Sequence, residues 1–116
     1  MHRFSIALVT VIAALSAIPA AADTASVQVT GDAPNAHGVN QLLAATVQYG
    51  DLDLTTSSGA ATLLGRIETA SQSVCNANSE AAARYAEKIA TCRKRAVTNA
   101  VQQVDAPLLT QAATAQ

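Results

Sequence analysis

The chain has 116 residues, half of them apolar, only 3% aromatic and 13% charged. Such a length holds one small domain and leaves no room for a doubly wound sheet, a TIM barrel or an ordinary two-domain enzyme. The net charge of −1 and pI of about 6.0 argue against a general nucleic-acid binder, which carries a strong basic excess.

Apolar residues are concentrated at the N-terminus. Met1-His2-Arg3 supplies a positive start, Phe4 to Ile18 is uncharged, and Pro19 breaks that run. Ala20, Ala21 and Ala22 then offer the small residues of an A-x-A cleavage site. This order predicts a secretory signal peptide over residues 1–22, cut between Ala22 and Asp23. The uncharged run is too short for a span of roughly 18–20 residues, and no Cys near the cut could accept a lipid. The expected destination is therefore periplasmic or secreted, with no stable membrane anchor after cleavage.

Residues 23–44 are polar and rich in turn formers, including Gly31, Pro34, Asn35, Gly38 and Asn40. They predict a flexible polar arm, although Ser26 to Thr30 alternates as a short edge strand would. A better strand candidate is Ala45 to Tyr49, with apolar residues at alternate positions. Leu52 and Leu54 fall out of phase with Val47 and Tyr49, so a bulge or turn at Gly50-Asp51 is expected.

The hydroxyls of Thr55 to Ser58 can accept the free amides of a first helical turn. Ala60, Leu63, Leu64, Ile67, Ala70 and Val74 then form one apolar stripe, predicting a helix over about 58–75. Gly65 lies inside it, and a close helix–helix approach would compensate its low helix propensity. A second helix is expected over about 80–104, with Tyr85, Ile89, Cys92, Ala96, Ala100 and Val104 on its stripe. Asp105 is the expected cap of a short last helix with Pro107 in its first turn, stapled by Val104 and Leu109. Residues 111–116 are expected to form a frayed tail.

Cys75 ends the first stripe and Cys92 lies on the second. Export makes a disulfide available, and a back-folded helix pair would bring the two stripes together. The alternatives are a reactive thiol or a metal site, but there is no C-x-x-C motif and only one His, distant in sequence, remains after the expected cleavage. The expected fold is α+β, mainly α. A short β-segment packs on an antiparallel two-helix hairpin, stapled by one disulfide and followed by a short C-terminal helix.

Several segments together resemble a known family. They are Val47 to Leu54, Gly59-Ala60-Ala61 opening a helix that ends at Val74-Cys75, then Cys92 to Val97, Ala100-Val101, Val104 and Pro107-Leu108-Leu109. After a signal peptide, this order is similar to the UrcA family of small exported bacterial proteins. The likeness covers about Thr46 to Thr110 and places the domain at residues 45–110. One departure is Ser57, where the family has a Pro in the first helical turn. The resemblance implies a two-cysteine exported domain and carries over no catalytic residue or established activity.

The charged residues are segregated. Asp23, Asp32, Asp51 and Asp53 precede Ala60 without a cation, whereas Arg84, Lys88, Arg93, Lys94 and Arg95 cluster on the second helix. Arg84, Lys88 and Arg95 fall on one helix face and are the candidate contact for an envelope macromolecule; the bland alternative is a solvated face. No aromatic residues interleave with them, which argues against nucleic acid. Asp51 and Asp53, assisted by His37 or Asp32, are the alternative site, for a small ligand or divalent metal; here the bland alternative is a solvated strand end. No G-x-S-x-G motif or phosphate-binding glycine loop is present, so no catalysis and no cofactor are expected.

Overall fold

The structure, a computed structural model, describes residues 25–116. The expected signal peptide and its cleavage site lie outside the described residues. Within them, two strands precede four helices: β1 (Ser26–Pro34), β2 (Asn40–Gln48), α1 (Ser57–Val74), α2 (Ala81–Arg84), α3 (Ala86–Val104) and α4 (Pro107–Thr114). The α+β class and the short C-terminal helix are as expected.

The flexible arm expected over residues 23–44 is instead mostly sheet. β1 and β2 pair antiparallel from Ser26↔Gln48 to Pro34↔Asn40, so Ala45–Gln48 is only the end of a nine-residue strand. Tertiary placement overrides local propensity here. Val27, Val29 and Ala33 are buried, while Ser26, Gln28, Thr30 and Asp32 face outward. At Gly31, the same inner face meets the end of α1. A Cβ there would stand 2.6 Å from the Val74 carbonyl oxygen and 2.9 Å from Cys75 Sγ. Only glycine leaves that space. The turn at residues 35–39 closes with Gly38 at φ +78°, a left-handed conformation that suits glycine. The Asn35 carboxamide accepts the N–H groups of His37 and Val39 across it.

Gly50 and Asp51 form the expected turn, and Leu52 and Leu54 pack against the core beyond it. Thr56 caps α1 by accepting the Gly59 N–H at 3.0 Å. The whole predicted stripe of α1 is buried, with Leu63 and Ile67 fully so. Burying each such side chain contributes about 1.5–3 kcal/mol. Gly65 corrects a second expectation: it is exposed, and a Cβ there would meet nothing within 4 Å.

The second helix is two helices. The chain breaks at Tyr85, with φ −127° and ψ 36°. Docking on the sheet accounts for the break: the Tyr85 hydroxyl comes against Gly38, and Arg84 donates to the Ala36 carbonyl at 3.4 Å. Asp105 does not cap α4. It takes a left-handed conformation, φ 53°, at the end of α3, and Ala106 occupies the cap position without a side-chain bond. Val104 and Leu109 therefore leave the staple positions, yet both still join the core. Pro107 begins α4, where its missing N–H costs nothing. The helix runs on to Thr114, so the frayed tail expected over residues 111–116 is instead mostly helix, with Ala112 and Ala113 packed against the core.

Cys75 and Cys92 form the expected disulfide, with Cα atoms 5.7 Å apart and both residues buried. It joins the end of α1 to the interior of α3 and lies against β1 at Gly31. Replacing both cysteines by Ser is expected to lower unfolding free energy by about 2–4 kcal/mol, measured by urea titration beside the oxidised wild type.

Candidate functional site

The cationic residues occupy α2 and α3 because the apolar face of α3 is spent on Ile89, Cys92, Ala96, Ala100 and Val101. Arg84, Lys88 and Arg95 are all exposed. Lys88 and Arg95 line one groove of about 520 Å³ between α3 and the outer side of the β-hairpin, opposite Thr30, Asp32 and Leu42. The Lys88 ammonium also lies 5.9 Å from the Tyr85 ring centroid. Arg84 is not in that groove. It sits beyond the Tyr85 break and reaches the hairpin turn at Ala36. The predicted face is thus brought together only in part.

Among the described residues, the one ion pair is Arg66–Asp51. None of Arg84, Lys88 and Arg95 is neutralised by an ion pair there, although Asp32 and Glu87 also line the groove. A second groove of about 600 Å³ runs between α3 and α4 beside Arg93, Lys94, Val97 and Val101. Arg93 Nε is buried at its edge without a hydrogen-bond partner among the described residues.

The acidic residues are not assembled as one site. Arg66 grips Asp51 through two bonds of 2.8 Å and donates to the Gln48 carbonyl at 3.0 Å. That guanidinium holds the Asp51 carboxyl at about 2, well below 3.8. Asp53 turns back on Thr55, whose side-chain hydroxyl and N–H both bond its carboxylate and lower its pKa. His37 lies at the closed end of the hairpin and Asp51 beyond the open end. Strands of this length separate those ends by about 25–30 Å. Among the described residues, no group of three or more His, Cys, Asp or Glu side chains could hold a metal ion. No described helix is long and apolar enough to cross a membrane.

Sequence reasoning missed the role of Arg66. A signal was present: Arg66 is the only cation between Asp23 and Ala83, within reach of an otherwise uncompensated acidic segment. Comparison with protein-family models, curated proteins and solved structures finds no match.

The Asp51–Arg66 pair sets a pH dependence. A carboxyl depressed on folding contributes stability above its unfolded value, near 3.8, and loses it as pH falls through about 2. Acid unfolding of the wild type is therefore expected to steepen over that window. In Asp51→Asn this component should be missing, as read by circular dichroism between pH 5 and pH 1.5.

Proposed function

We propose that the protein is a small exported binding module of the UrcA kind, non-catalytic, which contacts an anionic macromolecule of the cell envelope through Arg84, Lys88 and Arg95. The observation that carries this reading is electrostatic. These cations are exposed and outside any ion pair among the described residues, and two of them flank an open groove. Cations left without partners in a fold attract a partner of opposite charge over roughly a Debye length, about 8 Å at physiological salt.

Export is supported by the buried disulfide, since such bonds persist in oxidising compartments. In this reading α1 and α3 form the antiparallel pair that the disulfide staples, and the sheet holds the cationic side of α3 at the surface. The divalent-metal alternative is weakened because Arg66 already occupies Asp51 and because His37 lies at the far end of the hairpin.

Mass spectrometry of the envelope fraction is expected to find a mature N-terminus at or beside Asp23. Chains retaining Met1 in the cytoplasm would overturn the export reading. For the contact itself, Arg84→Gln/Lys88→Gln/Arg95→Gln keeps helix propensity nearly level. Immobilised wild type should retain anionic envelope components at low salt and release them above physiological strength. The triple variant should retain several-fold less at low salt while its circular dichroism spectrum is unchanged. Equal retention by the two proteins would return the stripe to an ordinary solvated face.

A further inference from the structure

The two edges of the β-hairpin are not equivalent. Tyr49 donates to the Ala25 carbonyl and Asn35 to that of Val39, which fixes the odd-numbered residues as the mutually hydrogen-bonded pairs. The even-numbered residues therefore direct their N–H and C=O groups away from the hairpin, on both strands. On β1, α3 and the end of α1 meet part of that edge. α3 packs along that strand, Gln103 donates to the Gln28 carbonyl, Asn76 donates to the Pro34 carbonyl, and Pro34 has no N–H to leave unpaired. On β2, among the described residues, only the Gln48 carbonyl is taken, by Arg66. Among the described residues, the backbone groups that Asn40, Leu42, Ala44 and Thr46 direct along the outer edge have no partner.

Exposed edges are normally blunted by a charge, a proline, a bulge or a covering element. β2, with the sequence NQLLAATVQ, has no charged residue and no proline, and it pairs with β1 without interruption. Leu42 on this strand is 76% exposed. The helix layer leaves the edge accessible. The hollow between β2 and α1 is lined by Thr62, Gly65, Thr69 and Ser73, with open space above Gly65.

We propose that β2 is a self-association edge, pairing antiparallel with β2 of a second copy of this chain about a two-fold axis at Leu43. The free groups are symmetric about that residue. Asn40 falls opposite Thr46 of the partner subunit and Leu42 opposite Ala44 of the partner subunit, so each free residue both donates and accepts. The ladder stops short of Gln48, whose carbonyl Arg66 holds. Leu43, half-buried on the core side, meets Leu43 of the partner subunit as a close non-hydrogen-bonded pair. On the other face Leu42 stands beside Ala44 of the partner subunit. A second copy suits this edge better than a charged peptide, because two neutral strands bring no unpaired charge into the ladder. Arg66 contacts Gln48, about 17 Å along the strand from the axis, so the two guanidinium groups stay apart. The contact is isologous and closes as a four-stranded sheet with β1 outermost on each side. The contact uses the backbone edge of β2 and not the cations of α3, although Asn40 and Leu42 also line the cationic groove.

The test uses the oxidised mature chain, from Asp23. Sedimentation velocity should show a reversible monomer–dimer equilibrium. Hydrogen exchange should slow at the amides of Leu42, Ala44 and Thr46 as concentration rises, while the amides facing β1 stay protected throughout. Leu42→Lys should weaken dimerisation at least 10-fold, with circular dichroism unchanged. Leu42→Lys/Ala44→Glu should recover it, because each new lysine then faces the new glutamate across the axis. The proposal is overturned by a monomer at every concentration with fast exchange at those amides. It is also overturned by a dimer that protects other residues, or by failure of the double variant to recover pairing.

Discussion

The contact between Gly31 and the end of α1 governs how the rest of the chain is arranged. At that point a strand, the last turn of one helix and a disulfide from another share a space that admits no side chain. Because Cys75 follows the last residue of α1 and Cys92 lies inside α3, the bridge fixes both helices relative to β1 together. A core with so few large side chains has limited apolar surface to bury, so one covalent link across three elements stabilises it out of proportion to its size. Leu63, Ile67, Leu109 and Val29 fill the fully buried positions around the link, and small alanines of α3 complete the face.

The helical part was legible because helical periodicity is a local property. Every position of the α1 stripe read from the sequence is buried, and Thr56 caps that helix as its hydroxyl suggested. The β-hairpin was half legible, for a physical reason. Gly31, Asp32 and Pro34 disfavour a strand taken alone, yet each is tolerated by its place in the pairing. Gly31 meets the disulfide, Asp32 faces solvent, and the nitrogen of Pro34 lies on the side where no ladder donor is needed. These reasons are long-range and invisible in a window of neighbours. The break at Tyr85 is of the same kind, because its cause is a turn far away in sequence. Asp105 shows the converse error: a residue that suits an N-cap also suits a left-handed helix end, and the chain used it there.

The candidate surface was legible as charge and not as geometry. Spacing alone placed Arg84, Lys88 and Arg95 on one face, and it holds for Lys88 and Arg95, which share a continuous helix. Arg84 falls outside that helix, so its angular relation to the others depends on the bend at Tyr85. For Asp51 and Asp53, a two-residue spacing suggested carboxylates pointing together. The segment is a turn, however, and each carboxylate finds its own partner, Arg66 or Thr55.

Segregation of charge along the chain could have ended in internal neutralisation, with the acidic half folded onto the cationic helices. The topology prevents most of that. β1 lies between α3 and β2, and it presents only Asp32 to the cationic groove. Asp51 and Asp53 leave the far end of the sheet, where α1 rather than α3 passes, so the one cation of α1 is the one that captures Asp51. The cations of α3 consequently keep much of their field, damped by Asp32 and Glu87 in one groove and by Glu68 in the other. A surface charge that folding does not use costs self-repulsion and returns solubility or attraction to other molecules. In so small a domain, with its apolar residues committed to one core and one disulfide, that residual field is the property of α3 on which a binding role can rest.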